Sequence, residues 1–108
     1  MVETIENWKS KNKSFGIVLP SGWFGRPYDN FHHITWIADR KFKLLIEIDE
    51  QILLVFTKTK QFEVIHDNKD LLFKIFLRLT FDRLGYGDLT VHTETFDNGE
   101  IRFVSYNY

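Results

Sequence analysis

The side chains best able to do chemistry are concentrated between Leu19 and His33, in the stretch LPSGWFGRPYDNFHH. Within it, Arg26, Tyr28 and Asp29 form a polar constellation. A planar guanidinium can clamp a carboxylate or phosphate, while a tyrosine offers a ring face and a hydroxyl. The alternative is internal: Arg26 pairs with Asp29, and the polar side chains make local turn hydrogen bonds.

Histidines raise the question of a metal site. His32 and His33 follow Asp29 closely, and His92 could join them from a distant strand. If His32 and His33 begin a strand, however, their side chains point to opposite faces and could not easily bind one ion. We therefore expect one histidine to be exposed and the other to hydrogen-bond to the loop, and no metal or other cofactor is predicted.

Two adjacent rings, Trp23 and Phe24, are flanked by Gly22 and Gly25. They could form a platform for a ligand or a plug that closes one end of the fold. Because two large apolar rings side by side in a loop usually include a buried one, at least one of them is expected to pack inside.

Motifs of common enzymes do not occur in the sequence. It contains no phosphate-binding glycine-rich loop, no nucleophile elbow around its serines, and no cysteine. The 14 basic and 15 acidic side chains are spread along the chain and leave a net charge of −1, which does not predict a nucleic-acid or membrane partner. The composition therefore favours a non-enzymatic protein.

The length of 108 residues fits one domain, here 1–108. Hydrophobic residues make up 44% of the chain and charged residues 27%, which is typical of a packed globular protein. The lack of cysteine excludes disulfides, and the N-terminus has no apolar signal-like core. We expect a cytoplasmic protein.

The elements that must position these residues are short strands. Val2, Ile5 and Trp8 predict at most a short N-terminal helix. Period-two patterns predict strands over 14–19, 32–38, 42–48, 51–57, 61–65, 71–82, 89–96 and 101–106. In the second strand, Ile34, Trp36 and Ala38 share a face. In the strand 71–82 the core-facing residues are predicted to be Phe73, Ile75, Leu77, Leu79 and Phe81.

The last two strands are predicted to form a hairpin, because Asn98-Gly99 is the pair that suits a tight turn with positive φ. Together the predicted strands indicate an all-β fold, an antiparallel meander of seven to eight strands that forms a small barrel or a two-layer sandwich. Apolar residues on both faces of 42–57 favour the barrel-like form.

The motif GWFGRPYDN after a Leu-Pro pair, together with GYGDLTVHTETFDNGEIRFVSY, resembles a family of small uncharacterised bacterial proteins. The resemblance covers most of the chain after Phe15. It implies a cytoplasmic bacterial protein and carries no activity, substrate or catalytic residue onto this sequence.

Three functions follow from the sequence. The leading hypothesis is a non-enzymatic module that binds a protein or small ligand through the 20–33 loop. Its contact residues would be Trp23, Arg26, Tyr28, Asp29 and His33. The second is a small barrel enzyme or metal-binding protein that uses Asp29, His32 or His33, and His92. The third is a lipocalin-like carrier, although eleven Phe could fill such an interior themselves.

Overall fold

The computed structural model describes residues 1–12, 14–25, 31–84 and 91–105. One helix is followed by seven strands. In chain order they are α1 (Val2–Lys11), β1 (Phe15–Leu19), β2 (Gly22–Trp23), β3 (Ile34–Asp39), β4 (Lys43–Ile48), β5 (Ile52–Asp67), β6 (Asp70–Leu84) and β7 (Val91–Ser105).

The strands form a single curled sheet in the order β2-β1-β7-β6-β5-β4-β3, with every neighbouring pair antiparallel. The sheet is not closed. A bridge between Phe15 and His32 nevertheless brings its two ends together, with N–H to C=O distances of 3.2 and 3.1 Å. The all-β prediction with a short N-terminal helix is confirmed, and the curled sheet fits the barrel-or-sandwich architecture.

Aromatic rings fill the concave side of the sheet. The Phe15 and Phe103 rings stack with centroids 4.5 Å apart, and Phe56 stacks on Phe73 at 4.9 Å. Helix α1 adds Trp8, whose indole N–H donates to the Lys69 carbonyl at 2.9 Å. Stacked and tilted rings at these distances stabilise the core beyond their buried area. The core therefore joins the helix to strands from both ends of the sheet.

Strand β7 corrects the prediction of a final hairpin. It runs without interruption from Val91 to Ser105 and pairs with β6 on both sides of Asn98-Gly99. Asn98 has a φ of 53°, but this left-handed residue lies inside the strand, one residue before the point where the register with β6 shifts, and not at a turn. An Asn-Gly pair supplies positive φ equally well to a bulge, so the local signal could not distinguish the two. Strand β5 likewise joins the two strands predicted over 51–57 and 61–65.

Strand β6 confirms the prediction of a strand over 71–82 but not its continuous core face. Ile75 and Leu77 are 45% and 51% exposed, whereas Phe76 is buried. Ile75 is an extra residue relative to β7 and has a φ of 60°, and Leu77 is extra relative to β5. Each extra residue reverses which face of the sheet the following side chains occupy. Two extra residues restore the original alternation, so from Leu79 onward the predicted positions face the core again.

Strand β3 carries a similar irregularity. Ile34 pairs with Ile48 and Trp36 with Glu47, which leaves Thr35 as the extra residue. The bulge turns Trp36 to the outside, where it is 46% exposed, while Ile34 stays buried. The prediction that Ile34 and Trp36 share a face is therefore wrong.

Candidate recognition edge beside strand β1

The described parts of the 20–33 stretch lie along the free edge of β1. Gly22 and Trp23 pair with Leu19 and Val18 as the short strand β2, and the Phe24 N–H donates to Ile17 at 2.9 Å. Gly22 adopts a φ of 122°, which L-residues rarely adopt, so the turn back onto β1 favours glycine there. The expectation that this stretch lacks regular structure is wrong at Gly22–Trp23.

Phe24 anchors the first half of this edge. Its ring lies 5.0 Å from the Phe81 ring and 5.5 Å from the His32 ring, and the Arg83 guanidinium sits 5.7 Å above it. Trp23, the preceding residue, is 43% exposed. Of the two adjacent rings, Phe24 packs against the core and Trp23 faces outward. This agrees with the prediction that at least one of them packs inside.

His32 anchors the second half. Its Nδ1 lies 2.7 Å from Asp49 Oδ2, while the other oxygen of the same carboxylate accepts the His33 backbone N–H at 2.8 Å. The Asp49 N–H in turn donates to the His33 carbonyl at 3.0 Å. Asp49 has a φ of 56°, a left-handed conformation that Asp tolerates better than most residues. The histidine partner is thus in the β4–β5 turn, which corrects the expectation of a partner within the loop.

The other ring nitrogen, His32 Nε2, is buried and has no hydrogen-bond partner among the described residues. Because Nδ1 faces a carboxylate it carries a proton, so Nε2 is an acceptor in the neutral ring. Because Nε2 is enclosed and Nδ1 contacts Asp49, the His32 ring is anchored at this edge.

The residues predicted for the site are distributed as follows. Trp23 and His33 lie on this edge and are exposed. Arg26, Tyr28 and Asp29 lie outside the described residues. His92 is exposed on β7, opposite Arg83. Among the described ranges, no three His, Cys, Asp or Glu side chains lie close enough to hold a metal ion.

Two residues of the edge were not predicted as site residues from the sequence. Phe31 is 75% exposed beside the anchored His32, and Asp49 bonds both histidines. Successive side chains of an extended chain point to opposite sides, so Phe31 faces outward because its neighbour His32 faces inward. Asp49 is 17 residues from His32, and only the fold shows that the β4–β5 turn meets this edge.

No known family's sequence profile matches the chain, and no characterised protein or solved structure is significantly similar to it. Function must therefore be argued from the residues themselves.

Among the residues that the structure describes, no helix has the length and apolarity needed to cross a membrane.

Proposed function

We propose that this chain is a non-enzymatic protein-binding module and that its contact surface is the aromatic edge, defined by Trp23 and Phe31 with their anchors Phe24 and His32. One observation carries the proposal. On each side of 26–30 an exposed ring is joined directly to an anchored one: Trp23 precedes Phe24, and Phe31 precedes His32.

Anchoring matters because it lowers the cost of binding. A partner that ordered a mobile loop would lose side-chain and backbone entropy, whereas backbone bonds to Ile17 and Phe15 already fix this edge. Large rings exposed on a fixed backbone are the residues that most often dominate binding energy, tryptophan above all. The geometry supports a partner that buries both rings.

The two other hypotheses have less support. A carrier needs an empty interior, but the interior positions of this sheet hold fully buried rings, among them Phe56, Phe73 and Phe103. An enzyme or metal protein based on His32 needs an accessible nitrogen, and Nε2 is enclosed. A small ligand at the aromatic edge is the remaining alternative, although exposed rings suit the broad surface of a protein better than a small molecule, which prefers a concave site.

The setting of this function is also proposed. The near-zero net charge of −1 supports a protein partner over nucleic acid or an anionic membrane. The composition and the resemblance to small bacterial proteins support a bacterial cytoplasm.

The experiment compares three proteins tagged at the N-terminus: the wild type, Trp23→Ala/Phe31→Ala, and the control Phe42→Ala. Phe42 is another exposed ring, located in the turn between β3 and β4. Each is used to capture proteins from a lysate of the source organism, and any protein retained is purified and titrated against all three. We expect wild type and control to bind alike and the double variant at least tenfold more weakly, since hot-spot truncations cost about 2 kcal/mol or more. Equal binding by all three proteins would contradict the proposal.

A further inference from the structure

A second surface, separate from the aromatic edge, covers the convex side of β3 to β7 and is called here the outer face. Pairing registers align its side chains in three rows across the strands. The first row contains Lys43, Thr57, Arg78 and Asp97. The middle row contains Ala38, Leu45, Val55, Thr80 and Thr95. The third row contains Trp36, Glu47, Leu53, Asp82 and Thr93.

The first row is the basic end of the outer face. Lys43 belongs to it, and Arg40 and Lys41 lie beside it in the β3–β4 turn. Together with Phe42 and Leu45 these three cations line a groove of about 350 Å³. Arg78 is neutralised by Asp97 at 2.9 Å, but none of the carboxylates in the described part of the chain pairs with the three other cations. This end therefore has an uncompensated positive charge.

The third row is the acidic end. Glu47 and Asp82 lie in it, and with Glu50 they line a cleft of about 270 Å³ beside Arg83. The Glu47 and Asp82 carboxylates accept hydrogen bonds from the hydroxyls of Thr35 and Thr93 at 2.9 and 2.7 Å. A hydroxyl donor satisfies an oxygen without cancelling its charge. The acidic end therefore has a negative charge that a basic partner could neutralise.

On the β3 to β5 side the outer face is apolar from its middle row into its third row. Leu45, Leu53 and Val55 are half-buried within the sheet, and Trp36 projects beside them. Rows are two residues apart, so the basic and acidic rows are separated by roughly 14 Å at about 3.4 Å per residue. A partner that matches this face must be apolar in the centre and carry opposite charges at its two ends.

We propose that the outer face binds a second copy of this chain in a two-fold symmetric dimer. A two-fold axis that lies in the interface, parallel to the rows and passing over Val55, places the basic end of each copy against the acidic end of the other and brings the apolar centres together. Such an isologous interface needs only one self-complementary patch. Aligned face-to-face packing of two sheets, within about 30°, keeps the rows in contact.

The size of the face sets the strength of the dimer. Five strands spaced about 4.8 Å apart and three rows with their turns give roughly 500 Å² per copy. About 1,000 Å² in total is at the lower limit for a specific interface. We therefore expect a weak, micromolar, salt-sensitive dimer.

The first test is sedimentation velocity from roughly 5 to 500 µM, a range that brackets a micromolar Kd. The salt concentrations are about 10 mM and about 1 M, where the Debye length falls from about 30 to 3 Å. We expect a dimer at low salt that weakens at least tenfold at high salt. A monomer at every concentration in low salt overturns the proposal.

Charge exchange then identifies the surface. In this arrangement Lys43 of one copy faces Glu47 of the other, so Lys43→Glu places two carboxylates opposite each other and Glu47→Lys places two ammonium groups opposite each other. Each variant alone should lose self-association, an equimolar mixture of the two should form a heterodimer, and the double variant should dimerise again. Thermal melts confirm that each protein is folded. A folded single variant that self-associates like wild type, or a double variant that stays monomeric, contradicts the two-fold arrangement.

Crosslinking gives a readout that does not alter charge. The chain has no cysteine, so Val55→Cys places one thiol near the proposed axis. Lys60→Cys, exposed on β5 away from the three rows, is the matched control. Under mild oxidation at low salt, Val55→Cys should form a disulfide-linked dimer much faster than the control. Equal rates would place the interface elsewhere and overturn the proposal.

Discussion

Asp49 Oδ2 lies 2.7 Å from His32 Nδ1, and this contact joins the turn between β4 and β5 to the segment that runs beside β1. The same carboxylate accepts the His33 N–H. One side chain thus fixes both the ring and the backbone at the point where the two ends of the sheet meet. The aromatic edge depends on this contact, since His32 is one of its two anchors.

Replacing Asp49 tests how much the contact stabilises the fold. Asp49→Gly removes both acceptors and tolerates the positive φ, while Asp49→Asn keeps an amide oxygen for the His33 N–H. We expect Asp49→Gly to lower the free energy of unfolding by about 2–3 kcal/mol and Asp49→Asn by about 1 kcal/mol or less, measured by urea denaturation. A loss below about 0.5 kcal/mol for Asp49→Gly would show that the carboxylate does not hold the edge.

Ile75 is a β-branched residue in the left-handed region, with a φ of 60°, and its side chain is exposed. For L-residues this conformation costs about 1–2 kcal/mol. Ile75→Gly should therefore be neutral or stabilise by up to about 1 kcal/mol, while Leu77→Gly, similarly exposed but without positive φ, should destabilise by about 1 kcal/mol. Chemical denaturation of the two variants measures the difference, and similar losses in both would argue against strain at Ile75.

Because of the two bulges of β6, we expect stability to depend on Phe76 and not on its neighbour Leu77, the reverse of what the sequence pattern predicts. Phe76→Ala should lower stability by about 3–5 kcal/mol, because it empties a fully buried ring position. Leu77→Ala should change it by less than about 0.5 kcal/mol, as at other exposed sites. Thermal unfolding checks both, and a large loss at Leu77 would restore the uninterrupted core face predicted from the sequence.

Much of this fold could be predicted from period-two patterns, including β1, β4 and the strand character of β6. The errors occur at bulges. One extra residue at Thr35, at Ile75 or at Leu77 reverses which face is buried, and no local residue preference indicates it: Ile is among the last residues expected at positive φ. The Asn98-Gly99 pair had the required conformational freedom but not the predicted role.

The candidate site, like the fold, could be predicted from the sequence only in part. Trp23 and His33 could be identified because unusual residue types cluster near them. Asp49 could not, since it appears in the sequence as one acidic residue of an ordinary turn. Its role comes from long-range strand register, which a single sequence does not specify.

Arg102 tests a second long-range contact. It donates to Asp70 at 2.7 Å and to Asp67 at 2.9 Å, while Asp70 also accepts the Ser105 N–H. The bond to Asp70, and next that to Asp67, raise the pKa of Arg102 above its ordinary value. The stability that this raised pKa contributes to the fold is fully present below the ordinary arginine pKa. It is lost only as the pH rises through the higher folded-state value.

Arg102→Ala should therefore destabilise the fold by about 2 kcal/mol at neutral pH, since it removes two charge-assisted hydrogen bonds. The matched control is Arg78→Ala, which breaks the more exposed pair with Asp97 and should cost about 0.5 kcal/mol. Denaturation midpoints at neutral pH compare the two. If the two losses are the same, the Arg102 cluster behaves as an ordinary surface pair.

The aromatic edge is tested most directly by measuring stability and binding on the same double variant, Trp23→Ala/Phe31→Ala. Both rings are exposed while their neighbours are anchored, so the free energy of unfolding should change by less than about 1 kcal/mol. Affinity for the partner recovered by capture should fall at least tenfold, as for truncated hot spots. A loss of stability above about 2 kcal/mol with unchanged affinity would contradict the account and make the edge a structural plug.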